Sequence, residues 1–359
     1  MNISKHQIFQ RQTTLQEIGE SGQQKLQNAK VAVVGCGGLG SVAAVYLAAS
    51  GIGKLHLINF DVVDVSNLHR QVFYTVDVIG ESKAKVLSDH IQKMSPFVDV
   101  QVTSKAISKE NVEAILGDAE IVLDCTDVLP IKYLLNDYCV LSNKTLVYGS
   151  LYKFDGYVAT FNLNGETSNL RDVFPEIPTD NIPNCSTMGT LNSIVGMIGL
   201  MQANEVLKIV TGVGSPLVNE LLIYNSLDNS QFKMKLKRSF SKERISEIFK
   251  NENYQLEFCE VNDELEISTD DFKVVLNNQN TSHTIVSVIE NINQDLPFEV
   301  DFKAPLSEFE DWILENFDEN KRYVFVCNRG ITSMIATIQI KEEFPNAEVK
   351  SLAGGISEF

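Results

Sequence analysis

The stretch "KVAVVGCGGLGSVAAVYLAASGIGKLHLINFD", residues 30–61, confines the fold more than any other part of the chain. An unbroken apolar run, a glycine cluster, an alanine-rich segment closed by glycine and a second apolar run read as strand, tight loop, helix and strand. The alternation continues. "KAKVLSDHIQKMSP" reads as a helix, "VDVQVTSKAI" as a strand, "KENVEAILGD" as a helix, "EIVLDCTD" as a strand, "PIKYLLNDYCVLSN" as a helix and "TLVYGSLY" as a strand. Such a series predicts an α/β fold, Rossmann-like, with a mostly parallel sheet covered by helices on both faces.

Further along come a strand "GYVATFNLN", a loop, a long apolar helix from about 190 to 211 and a strand pair around "ELLIYNSLDNSQFKMKLK". A first domain is therefore expected over 1–238, a charged linker over 239–262 and a small α/β domain over 263–359. In the last of these "YVFVC", "NRGITS", "MIATIQIKEEF" and "EVKSLAGG" read as strand, loop, helix and strand.

The formal net charge of −17 argues against a general nucleic-acid binder, because phosphate backbones are held by clustered Lys and Arg. Any phosphate site must be local. The amino-terminal "MNISKHQIFQRQTT" has no apolar core, and the most apolar later segment is interrupted by polar residues, so neither a signal peptide nor a membrane span is expected. Six scattered cysteines fit reduced thiols and a cytoplasmic location.

Gly35, Gly37 and Gly40 satisfy G-x-G-x-x-G between a strand and a helix, the context that lets backbone approach a phosphate. Taken alone the motif leaves three readings open: a dinucleotide, another nucleotide, or a tight turn. A dehydrogenase places an acid at the end of the second strand; here Asn59 stands there and Asp61 follows two residues later. Arg70, Lys83 and Asp127 fall on successive strand-end loops. Two cations and a carboxylate suit nucleotidyl transfer, where a triphosphate and its leaving group must be neutralised, usually with magnesium.

At this point the sequence resembles the ThiF/MoeB/HesA family, bacterial relatives of ubiquitin-activating enzymes. Over about residues 6–237, "FQRQ", "GCGGLGS", "DVVDVSNLHRQ", "GESKA", "DCTD" and "NCSTMGTLNSIVGMIGLMQANEVLK" occur in the family's order and spacing. The resemblance implies ATP-dependent adenylation of the C-terminal Gly-Gly carboxylate of a small β-grasp sulfur-carrier protein. It places Gly38 in the phosphate loop, Asn67 in the nucleotide-contacting turn, Arg70 and Lys83 on the triphosphate and Asp127 on Mg2+. Arg11 matches an arginine inserted into the partner subunit's site, which implies a homodimer. Cys185, in the loop before the long helix, matches a cysteine that links covalently to the carrier in some members.

Two C-x-x-C pairs hold structural zinc in many relatives. Asn169 and Asp172 occupy the first pair's positions and no second pair follows "KMKLKRSF", so no zinc site is expected. Asn59 and Val128 also depart from the family's usual Asp and Asn. Residues 323–359 resemble the second half of a rhodanese-like domain, with Cys327 as the sulfur-carrying cysteine and Thr332 where an Arg is common. The usual Asp-Arg pair and the "GHIPGA" segment of the first half are missing. The fusion implies delivery of sulfur, with a cysteine desulfurase as donor, in molybdopterin biosynthesis; the thiamine-thiazole carrier is the alternative. An NAD-dependent oxidoreductase and a non-catalytic carrier-binding scaffold are the rival classes.

Overall fold

The computed structural model describes residues 4–177, 189–254, 265–277, 283–328 and 330–359. The chain divides into two compact units, Met1–Leu256 and Glu257–Phe359.

The first unit opens with α1 (Lys5–Thr13), α2 (Gly19–Asn28), β1 (Lys30–Val34), α3 (Gly38–Ala49) and β2 (Lys54–Ile58). It continues through α4 (Lys83–Met94), β3 (Asp99–Thr103), α5 (Val112–Leu116), β4 (Ile121–Asp124) and α6 (Leu129–Leu141). There follow β5 (Thr145–Tyr152), β6 (Asp155–Phe161), α7 (Asn192–Thr211), β7 (Glu220–Asn225), β8 (Gln231–Lys235) and α8 (Lys242–Asn251). The strands form one sheet in the order β3-β2-β1-β4-β5-β6-β7-β8. Pairing is parallel from β3 to β5 and antiparallel from β5 to β8. The order reverses between β1 and β4, and a sheet of this kind binds ligands beyond the carboxyl ends of the strands flanking such a reversal.

Alternation along β1 fills both faces. Val31 and Val33 pack with Leu47 of α3 and Ile198 of α7, whereas Ala32 and Val34 pack with Leu134 and Leu135 of α6. Burying one such side chain contributes about 1.5–3 kcal/mol. Helix α7 is long and apolar enough to cross a membrane by length and composition. It lies in the core, where Gly199 lets it close on α3: a Cβ there would stand 2.6 Å from the Leu39 carbonyl oxygen.

The segment expected as a linker begins inside this unit. Ser241 caps α8 by accepting from Arg244 N, and Phe240 and Ile245 are buried against Val140 of α6. The amphipathic spacing of α8 gives it a face to bury, so the first unit extends to Leu256 rather than ending near 238.

The second unit comprises β9 (Glu266–Ile267), α9 (Thr269–Asn277), β10 (His283–Ser287), β11 (Phe302–Lys303), α10 (Phe309–Asn316), β12 (Arg322–Val326), α11 (Ile331–Glu343) and β13 (Glu348–Leu352). Its sheet runs β11-β10-β12-β13-β9, all parallel. Tyr323 and Phe325 face one core with Phe309 and Trp312, while Val324 and Val326 face a second core with Phe272.

Candidate nucleotide and sulfur sites

The glycine loop follows β1, and the turn after β4 lies directly beneath it. Gly35 has φ +92°, and a Cβ on it would stand 2.6 Å from the Cys125 carbonyl oxygen. A Cβ on Gly40 would stand 1.8 Å from the Gly35 carbonyl oxygen. Helix α3 can therefore start where it does only with glycine at both places. Gly38 approaches the carbonyl of Arg70, and Gly37 the side chain of Gln71. The loop thus touches the turn after β2 on one side and the turn after β4 on the other.

Asn59 is buried at the end of β2, where its Oδ1 accepts from Cys36 N at 2.9 Å. Its Nδ2 has no hydrogen-bond partner among the described residues. Lys83 opens α4 with a buried side chain, its Nζ 3.7 Å from Asp61 Oδ2. In the turn after β2, the Asn67 carbonyl accepts from Arg70 N and Gln71 N, and Arg70 Nη1 donates to Ser66 O at 3.0 Å. Asp127 is exposed after Thr126. The structure therefore gathers Gly35, Gly37, Gly38, Gly40, Asn59, Asp61, Asn67, Arg70, Lys83 and Asp127 at the carboxyl edge of the parallel sheet.

Arg11 is not among them. Phe9 is buried, and Gln12 Nε2 donates to Gln23 Oε1 at 2.7 Å and to Ser50 O at 3.0 Å, fixing α1 at the C-terminal end of α3. The glycine loop is at the other end of that helix, about 18 Å away at 1.5 Å per residue. Arg11 is left exposed there.

The four cysteines among the described residues are all buried, and burial acts on three of the thiols. It pushes the Cys36 thiol up to about 12, against a smaller opposing effect of Lys83, and raises Cys125 and Cys139 as well. These three are protonated packing groups. Cys185 lies outside the described residues. Cys327 follows β12 directly and is buried, with its Sγ 3.2 Å from Ser333 Oγ at the start of α11. Ser351 Oγ stands 2.8 Å from Ser333 Oγ, so two buried hydroxyls back the thiol.

Asn169 and Asp172 bond to each other and to a distant segment. Asp172 Oδ2 accepts from Asn169 N at 2.8 Å, and its Oδ1 accepts from Ser239 N at 2.6 Å, Ser239 Oγ at 2.9 Å and Phe240 N at 2.8 Å. One carboxylate clips the loop after β6 to the segment after β8.

Four residues packed beneath the site escape sequence reasoning. Tyr74 Oη donates to the carbonyls of Cys36 at 2.6 Å and Lys83 at 3.3 Å, bridging the glycine loop to α4. Asp124, Lys132 and Gln202 form a buried polar group under the β4 turn. Burial pushes the Lys132 ammonium down, but the Asp124 carboxylate and Tyr148 outweigh it, so its pKa lies above the ordinary lysine value. An acid closing an apolar strand with a lysine eight residues on was the only readable signal.

A family model described as the ThiF family matches residues 9–245. The chain belongs to the ThiF family. A sulfur carrier protein adenylyltransferase of Thermus thermophilus is 39% identical over 236 residues, covering 64% of this chain and 87% of the relative. The adenylyltransferase and sulfurtransferase UBA4 of Scheffersomyces stipitis is 32% identical over 387 residues, covering 99% of this ThiF-family chain and 87% of the relative. Among solved structures, E. coli MccB with MccA-N7isoASN superposes with a TM-score of 0.59 at 22% identity, over 66% of this chain and 74% of that one. That likeness supports the ThiF-type fold of the first unit.

Proposed function

We propose that the first unit adenylates the C-terminal Gly-Gly carboxylate of a small sulfur-carrier protein with ATP, and that the second unit supplies sulfur through Cys327. The observation that carries this reading is the gathering of a bare glycine loop, a buried lysine, an arginine and an exposed carboxylate at one sheet edge, in a chain that aligns end to end with a relative named adenylyltransferase and sulfurtransferase.

In this reading the carrier carboxylate attacks the α-phosphorus, the acyl–phosphate bond forms, the Pα–O–Pβ bond breaks and pyrophosphate leaves. The loop amides of residues 35–40 and the start of α3 receive phosphate oxygens. Lys83 and Arg70 take up the charge that gathers on the leaving group, and Asn67 shapes the turn that presents Arg70. The unpartnered Asn59 Nδ2 supports a bond donated to a ribose hydroxyl. An exposed carboxylate beside a phosphate loop suits a hard oxygen-seeking cation, so Asp127 would hold Mg2+, with Asp61 near Lys83. Magnesium, when bound, neutralises triphosphate charge.

The working form is read as a homodimer. Arg11 is remote from its own loop, and Val62, Val65, Val72 and Val76 expose a group of apolar side chains around the Arg70 turn that a second copy would cover. For sulfur, the Cys327 thiolate attacks the outer sulfur of a donor persulfide, such as that of a cysteine desulfurase, and the donor leaves as a thiolate. Cys185 is read as the carrier-linking cysteine.

Pyrophosphate exchange tests the reading. The wild type should exchange with a Gly-Gly-ended carrier, and Asp127→Ala and Arg70→Ala should not; no exchange by a folded, ATP-binding wild type with molybdopterin or thiamine carriers would favour the scaffold. Mixing inactive Arg11→Ala with inactive Asp127→Ala should restore exchange, since one site per mixed dimer is whole; no restoration would argue against a shared site. Mass spectrometry after incubation with a persulfide donor should find a persulfide on the wild type and none on Cys327→Ser.

A further inference from the structure

The β4 turn rests on a polar strut that the reaction above does not use. Asp124, fully buried, ends β4; its Oδ1 accepts from Thr126 N at 3.1 Å and Thr126 Oγ1 at 2.8 Å. Its Oδ2 lies 3.1 Å from Lys132 Nζ, which also donates to Gly149 O on β5 at 2.8 Å. Lys132 N in turn donates to Val128 O at 3.2 Å, closing the first turn of α6 just behind Asp127. From α7, Gln202 Nε2 donates to Asp124 O at 2.8 Å and Val147 O at 3.2 Å, while its Oε1 accepts from Cys125 Sγ at 3.4 Å. Gly149 makes room for it: a Cβ there would stand 2.3 Å from Gln202 Cδ.

A buried ion pair is weak ground for stability, because apolar groups of the same shape often serve as well. What this one adds is direction. Asp124 Oδ1 holds both the amide and the hydroxyl of Thr126, which ties down the Cys125–Thr126 peptide. That peptide underlies Gly35 and carries Asp127.

We infer that Lys132 and Gln202 are positioning residues which, through Asp124, set the place of the Asp127 carboxylate relative to the glycine loop. The inference rests on the reading of Asp127 as the magnesium-holding acid. Neither residue touches the nucleotide; their effect is transmitted by the turn.

Calorimetric titration of the full chain with ATP, with and without Mg2+, tests it. Because Lys132→Met alone would strand a buried carboxylate, the test variant is Asp124→Asn with Lys132→Met, its fold checked by circular dichroism. The gain in ATP affinity that Mg2+ confers on the wild type should shrink about 10-fold in this variant, as for other groups that orient a metal-holding side chain. Metal-free ATP affinity should stay within twofold, Lys132→Arg should keep the wild-type gain, and Gln202→Leu should fall between. A folded double variant with the wild-type magnesium gain overturns the inference. So does an equal loss of metal-free and magnesium-dependent affinity, which marks a structural role only. If Asp127→Ala itself keeps the magnesium gain, the reading of Asp127 fails instead.

Discussion

Both units place a loop between a strand end and a helix start and turn it with a left-handed glycine, Gly35 at φ +92° and Gly330 at φ +79°. They use the space in opposite ways. The first loop is stripped of side chains at 35, 37, 38 and 40, and its charged groups arrive from other loops at Arg70, Lys83 and Asp127. The second begins on a buried side chain of its own: the Cys327 thiol lies 3.2 Å from Ser333 Oγ, which Ser351 Oγ approaches at 2.8 Å, and Ile356 N donates to Cys327 O at 2.9 Å. One loop carries no side chains of its own at four positions, and the other begins on a buried thiol.

The sharpest break in that comparison is Gly40→Ala. A methyl group 1.8 Å from the Gly35 carbonyl must displace the loop, and ATP affinity measured by calorimetry should fall about 100-fold or more. Gly330→Ala should instead abolish persulfide loading at Cys327 with ATP affinity unchanged. Loss of both functions in either variant would show that the loops are not independent devices.

Next in size is the buried anchor of the first unit. Arg171 donates to both oxygens of Asp137 at 2.7–3.0 Å, and Tyr254 Oη donates to Asp137 Oδ2 at 2.5 Å, its phenol held protonated by burial and by that carboxylate. Asp137→Ala leaves a guanidinium buried without its partner and should lower the stability of the first unit by about 3–5 kcal/mol in denaturant titration. The urea transition of the second unit, followed by its buried Trp312, should not move.

Smaller is the clip at Asp172. Asp172→Ala leaves Ser239 N and Phe240 N without their acceptor and should cost about 1–3 kcal/mol. Treatment with EDTA should leave the wild-type midpoint where it is; a drop would reveal a metal that the clip does not replace.

The smallest effect is common to both units. Burial and Lys54 hold His56 below the ordinary histidine value, and burial and Arg322 do so for His283. The unfolded chain therefore binds these protons first, so their contribution is full above about pH 6.5 and declines as pH falls through that value. More of His283's effect is screened by water, so it should be the smaller of the two. His56→Gln should flatten the pH dependence of the first transition between pH 7.5 and 5.5, and His283→Gln that of the second.

What the sequence shows of each unit follows from element length. In the first, central strands such as β4 and β5, of four and eight residues, stand out as apolar runs between helical segments, and the glycine spacing locates the loop. In the second, β9 and β11 are two residues each, too short for any alternation, so the two edge strands of that sheet are invisible until β13 and β10 pair with them. The site divides the same way. Arg70, Lys83 and Asp127 stand in contiguous motifs, whereas the Tyr74 bridge, the Asp124–Lys132–Gln202 strut and the Asp172 clip join residues that only the fold brings together. That no cysteine stands at 169 or 172 is legible in the sequence; the carboxylate contact that Asp172 makes 67 residues along the chain is not.

That clip also bears on chemical compatibility. A polypeptide through which sulfane sulfur passes is exposed to its own cargo, and every accessible thiolate is a competing acceptor. With oxygen and nitrogen closing the clip, and with the Cys36, Cys125 and Cys139 thiols raised by burial and so held protonated, the framework of the first unit offers a passing persulfide no thiolate at those points.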